Sequence, residues 1–153
     1  MSRVQARQRD ATGMRTGAAS STAVLTVLYV EDNASNARLL ERVLGRRAAI
    51  DFTVATTGEQ GLHLAAQLRP DIVLLDLHLP DLTGEDVLTG LLQLPGWADR
   101  PVVVLSADAH PATAARLRAA GAADYLTKPL DLPRLHACMD AALVGRQRRG
   151  QAC

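Results

Sequence analysis

The chain is expected to fold as an α/β domain: a five-stranded parallel sheet, doubly wound by helices, (βα)5. Three observations lead there. Short apolar runs recur five times, each followed by a segment of helical period. The links between them are short, and such alternation implies parallel strands with helices on both faces. Four of the runs also end abruptly in polar groups. Val27-Leu28-Tyr29-Val30 ends in Glu31-Asp32, and Ile72-Val73-Leu74-Leu75 in Asp76. Val102-Val103-Val104-Leu105 ends in Ser106, and Tyr125-Leu126-Thr127 in Lys128-Pro129.

The first strand spans residues 23–30. Asn33 or Ser35 caps the first helix, with Ala37, Leu40, Val43 and Leu44 inward and Gly45 near its end. Phe52 to Ala55 is the second strand. Thr56-x-x-Glu59 reads as a capping box opening a helix with Leu62, Ala65, Ala66 and Leu68 inward, and Pro70 stops it. Ile72 to Leu75 is the third strand. Gly84 marks a turn before a helix from Glu85 to Leu94, which faces the core with Val87, Leu88, Leu91 and Leu92 and is closed by Pro95-Gly96. Pro101 precedes the fourth strand, Val102 to Leu105. Pro111 suits the first turn of a fourth helix ending at Gly121. Asp124 to Thr127 is the fifth strand. Asp131 caps the last helix, with Pro133 in its first turn and Leu135, Met139 and Leu143 on one stripe.

At 153 residues the chain can bury one substantial core. Trp97, Tyr29, Tyr125 and Phe52 are its aromatic residues, so that core is built of Leu, Val and Ala. The formal charge of +1 is unevenly spread. Residues 1–22 and residues 145–153 each carry +3, which leaves −5 for residues 23–144. We therefore expect a disordered basic tail over 1–22, a folded acidic domain over 23–144 and a basic C-terminal tail over 145–153. An acidic core argues against a nucleic-acid-binding fold. No apolar run is long enough to span a bilayer, and the Arg-rich N-terminus lacks the apolar segment of a signal peptide, so a cytoplasmic location is expected. Cys138 and Cys153, far apart, read as free thiols.

In an open parallel sheet, ligands bind at the carboxyl ends of the strands. Glu31, Asp32 and Asp76 would offer carboxylate oxygens there, and the His78 carbonyl another, a donor set suited to Mg²⁺. A strand-end carboxylate such as Asp76 can act as a nucleophile toward phosphorus and form an acyl phosphate. Its charge must be screened. A metal ion does half of that, and Lys128 can do the rest as a point charge, with Ser106 donating a hydrogen bond.

The segments Val27-Leu28-Tyr29-Val30-Glu31-Asp32-Asn33, Leu74-Leu75-Asp76-Leu77-His78-Leu79-Pro80, Leu105-Ser106-Ala107-Asp108-Ala109, Gly121-Ala122-Ala123-Asp124-Tyr125-Leu126 and Thr127-Lys128-Pro129-Leu130 resemble receiver domains of two-component response regulators. The resemblance covers residues 24–144 and implies the flavodoxin-like, CheY-like version of the fold. It implies Asp76 as phosphoacceptor, with Glu31 and Asp32 as the acidic pair holding Mg²⁺. Ser106 matches the switch hydroxyl, Lys128 the lysine and Tyr125 the switch aromatic, and the Lys-Pro bond is typically cis. Glu31 stands for the commoner Asp and Ser106 for the commoner Thr. The positions of His78 and Asp108 are those that tune acyl-phosphate lifetime.

The partners implied are a histidine kinase or histidine phosphotransfer protein, and a downstream protein docking on the fourth helix, fifth strand and fifth helix. Neither nucleic acid nor membrane is expected, and the chain would be a monomer or weak dimer. The resemblance implies no enzyme beyond self-phosphorylation and self-dephosphorylation. A single-domain regulator is favoured by Met1 and the basic tail, with a receiver excised from a hybrid kinase as the alternative. A phosphorylation-independent adaptor would lack the acceptor, the lysine or an acid, all of which are present. An aspartate-nucleophile phosphatase needs a second Asp two residues after the first, where His78 stands. A nucleotide or flavin binder needs a glycine-rich first turn, absent from Glu31-Asp32-Asn33-Ala34-Ser35.

Overall fold

The computed structural model describes residues 24–46, 49–97 and 99–152. The elements in order are β1 (Leu25–Val30), α1 (Ala34–Leu44), β2 (Ile50–Ala55), α2 (Gly58–Leu68), β3 (Ile72–Asp76), α3 (Gly84–Leu92), β4 (Val102–Ser106), α4 (Pro111–Ala119), β5 (Asp124–Thr127) and α5 (Leu132–Ala152). The strands form one parallel sheet in the order β2-β1-β3-β4-β5. The doubly wound fold expected from the alternation is the fold observed.

The all-apolar strands follow from this architecture, because both faces of the sheet are covered. Alternate residues enter two cores. Val27, Tyr29, Ile72, Leu74, Val103, Leu105 and Leu126 pack with Leu40 and Leu44 of α1 and Leu135 and Met139 of α5. Leu28, Val30, Val73, Leu75, Val104 and Tyr125 pack with Leu64 of α2, Leu88 of α3 and Leu117 of α4. Each fully buried aliphatic side chain stabilises the fold by about 1.5–3 kcal/mol.

The inward face of α2 differs from the expectation. It consists of Gly58, Gly61, Leu64 and Ala65, while Ala66 and Leu68 face solvent. The reason lies in the glycines. A Cβ on Gly61 would stand 2.8 Å from a Val30 methyl, so the helix backbone lies directly on β1. A search for apolar side chains misses a face built of hydrogen atoms. The cap is also displaced by one residue. Thr57 accepts from the Gln60 amide at 3.0 Å, while the Gln60 side chain accepts from the Thr56 amide at 2.9 Å. On α3, Leu92 is not a core residue but is exposed.

The C-terminal boundary also moves. Residue 144 lies inside α5, which continues to Ala152. The expected basic tail is therefore helical over these positions. Arg146 and Arg149, three residues apart, share a helix face. Both bond the buried carboxylate of Asp71, Arg146 at 3.1 Å, at the amino end of β3. That partner is 75 positions upstream of Arg146, out of reach of any local charge reading. The expected tail over 1–22 lies outside the described residues, as does Cys153.

Candidate functional site

Strand register brings the site together. β1 and β3 pair with Val30 opposite Leu75, so the next residues, Glu31 and Asp76, come level. Asp76 pairs with Leu105, and Ser106 with Thr127, which places Ser106 and Lys128 just beyond the same edge. The chain turns back between β1 and β3: β2 lies to one side and β4 to the other. That is where loops leave in opposite directions and open a crevice. Alternation sorts the side chains further. Glu31, Asp76 and Lys128 continue the face of Tyr29, Leu74 and Leu126, whereas Ser106 and Tyr125 continue the other.

Glu31, Asp32 and Asp76 each offer a carboxylate oxygen within 4.8 Å of the other two. Glu31 and Asp76 are buried and Asp32 is exposed, so the cluster has a floor and an open side. The Glu31 carboxylate is held in place. It accepts from the Tyr29 hydroxyl at 2.9 Å, the Asn33 amide at 3.1 Å and the Lys128 ammonium at 3.5 Å. Asp76 accepts from the His78 amide at 3.3 Å. The His78 side chain is exposed, so what it gives the cluster is backbone.

Two buried acids side by side cannot ionise with equal ease. Burial, then the hydrogen bond and charge of Glu31, push the Asp76 carboxyl up to about 6, against the opposing pull of Lys128 and the His78 amide. Glu31 is itself disfavoured by burial. Its hydrogen bonds from Asp76, Asn33 and Tyr29, with the charge of Lys128, outweigh that and hold it below the usual carboxylate range. Glu31 is thus the fixed anion and Asp76 the group that exchanges a proton. The Tyr29 phenol is held well above its ordinary range by burial and by Glu31.

A Mg²⁺ ion fits this donor set. Its donors are hard oxygens at the ends of two neighbouring strands, and the buried pair lacks a full counter-charge. Lys128 meets Glu31 rather than Asp76 as its hydrogen-bonded partner. Its bond to Pro129 is cis.

Ser106 and Tyr125 are both buried and are joined through Asp108. The Asp108 amide donates to the Ser106 hydroxyl oxygen at 3.0 Å, and the Tyr125 hydroxyl donates to the Asp108 carbonyl at 2.6 Å. The Tyr125 ring sits inward, held by the Asp108 carbonyl.

Two contributors escaped the sequence reading. Tyr29 precedes Glu31 by two residues, which in a strand means the same face, so its role was within reach of the alternation rule. Asp81 accepts from the amides of Gly58 and Glu59 at 2.8 and 2.9 Å, tying the loop after Asp76 to the start of α2. No local pattern marks that contact. Lys128 is also the sole lysine of a chain otherwise supplied with arginine, a sharper signal than its place before a proline.

Residues 27–140 match the family model of the response regulator receiver domain. The transcriptional regulatory protein KdpE of Mycobacterium tuberculosis is 41% identical over 117 residues, which are 76% of this chain and 50% of KdpE. The signal transduction histidine-protein kinase BarA of Escherichia coli K12 is 32% identical over 116 residues, 76% of this chain and 12% of BarA. The chain thus spans half the length of one of these relatives and a small part of the other. Among solved structures, the BeF3-activated N-terminal receiver domain of RstA from Klebsiella pneumoniae superposes with a TM-score of 0.69 at 28% identity, covering 77% of this chain and 97% of that one. The receiver domain of Francisella response regulator 1452 gives 0.69 at 26% identity, covering 82% and 98%. Among the described residues no helix is long and apolar enough to cross a membrane. Strand order, the acidic crevice and these likenesses converge: this chain belongs to the response regulator receiver domain family of two-component signal transduction.

Proposed function

We propose that Asp76 accepts a phosphoryl group from a phosphohistidine of a histidine kinase or histidine phosphotransfer protein in the cytoplasm. The observation that carries this reading is the meeting of three carboxylates from two strands within 4.8 Å, with the Lys128 ammonium on Glu31. Glu31, Asp32, Asp76 and the His78 carbonyl would hold Mg²⁺. When bound, that ion neutralises the carboxylates and the incoming phosphoryl oxygens.

The rest is done by the chain. An ionised Asp76 oxygen forms the new bond to phosphorus as the phosphorus–nitrogen bond breaks, and the leaving imidazole retains the electron pair and takes up a proton. Tyr29 and the Asn33 amide keep Glu31 ionised and oriented. Lys128 turns from Glu31 toward the phosphoryl oxygens, and the Ser106 hydroxyl donates to another of them. Moving Ser106 requires release of the Asp108 amide, and Asp108 also holds Tyr125. The proposed readout is therefore a change at α4, β5 and α5, where a downstream protein docks. Incubation with acetyl phosphate and Mg²⁺ tests the reading by intact-mass measurement. The parent should gain one phosphoryl group and Asp76→Asn none; equal labelling of both would remove Asp76 as the acceptor.

A further inference from the structure

The end of the sheet opposite Asp76 gathers positive charge. Arg100, just before β4, donates through Nη1 to the carbonyls of Arg69 and Pro70 at 2.7 and 2.8 Å. Its Nε is buried and has no hydrogen-bond partner. Burial, then the guanidiniums of Arg149 and Arg69, hold the Arg100 pKa below its usual range. Arg146 adds to this and Asp71 opposes it. Asp71 is already engaged by the Thr26 amide, Arg146 and Arg149. A buried donor left unpaired is costly.

Beside this cluster lies a cleft of about 440 Å³, within the range of small-molecule sites. Arg100 and Arg148 line it, with Asp99 the one acid among the lining residues. Its other wall is apolar and includes Leu92 and Val144, large hydrophobic side chains that are 38% and 45% exposed. Val144 and Arg148 lie on α5 beyond residue 140, where the family match ends.

We propose that this cleft binds a small organic anion, with a phosphate or carboxylate head on Arg100 and Arg148 and an apolar body against Leu92 and Val144. Guanidinium groups recognise either head through paired hydrogen bonds. The site stands at the amino ends of the strands and is independent of the chemistry at Asp76.

Calorimetric titration of the full chain with phenyl phosphate, benzoate and inorganic phosphate tests the proposal. At least one aromatic anion should bind more tightly than inorganic phosphate, and which of the two binds names the head group. Affinity should fall about tenfold or more in Arg148→Ala. It should fall likewise in Ala141→Trp, which fills the cleft from an exposed helix position. Asp76→Asn should bind like the parent. Absence of binding by both aromatic anions, unchanged affinity in a correctly folded Ala141→Trp, or equal affinity for inorganic phosphate would each overturn it.

Discussion

Asp71 and Asp76 flank and close the same strand, both buried, and among the described residues only Asp71 is neutralised by ion pairs. Asp71 meets two guanidiniums and a backbone amide at the amino end of β3. Asp76 faces a second carboxylate at the carboxyl end. One end of the strand thus stabilises the fold while the other holds charge the fold would rather expel.

The first expected consequence concerns Asp76→Asn in metal-free buffer. The carboxyl titrates at about 6 in the folded chain against 3.8 as reference. A raised acid favours the folded state below the lower value, and that advantage is lost as pH rises through the upper one. At pH 7 the buried anion therefore weighs against folding, and its removal should stabilise the domain by about 1–3 kcal/mol. The gain should shrink toward zero by pH 4. Urea unfolding at several pH values measures it, and a variant less stable than the parent at pH 7 contradicts the assignment.

The same proton should oppose Mg²⁺. A carboxyl that must ionise before it coordinates makes affinity fall with pH, by about tenfold between pH 7.5 and pH 5 for a group titrating at about 6. Calorimetric titration with MgCl₂ provides the number. Trp97 is a poor reporter, since it is buried in the connection after α3, at the far end of the sheet. A pH-independent affinity would mean that Asp76 is not a ligand.

The end of α5 should matter to the fold. Arg146→Ala with Arg149→Ala leaves the Asp71 carboxylate buried, with the Thr26 amide as its remaining bond among those described. Stranding a buried charge costs about 3–5 kcal/mol. Adding Asp71→Asn to the double variant should restore most of the loss, because the stranded charge disappears. Chemical denaturation of the three proteins separates this from a simple loss of helix.

These contrasts mark what the sequence reveals and what it hides. The five strands were legible because a doubly covered sheet demands unbroken apolar runs. Glu31, Asp32, Asp76, Ser106 and Lys128 were legible as positions on one sheet edge because each ends or follows such a run, whereas Tyr125, which opens one, came only from the family resemblance. Contacts made by atoms that carry no pattern were not. Gly61 reads as a break in an apolar stripe, yet there the backbone of α2 lies directly on Val30 of β1. Arg146 and Arg149 read as a solvated run, because the acid that orders them lies on β3's far edge.

Lys128→Ala separates folding from chemistry. The Lys128 side chain is 27% exposed, and its buried partner Glu31 retains bonds from Tyr29 and Asn33. Removing the cation leaves a buried carboxylate held by those two bonds, which costs about 1–3 kcal/mol, so the variant should unfold at a lower temperature but remain folded. If Lys128 neutralises the phosphoryl oxygens, as proposed, removing that charge-matched donor should slow labelling by acetyl phosphate about 100-fold or more. Lys128→Arg keeps the charge but replaces a compact ammonium with a planar fork, and should recover only part of the rate. A folded Lys128→Ala that labels at the parent's rate would assign the lysine to the resting state of Glu31 alone.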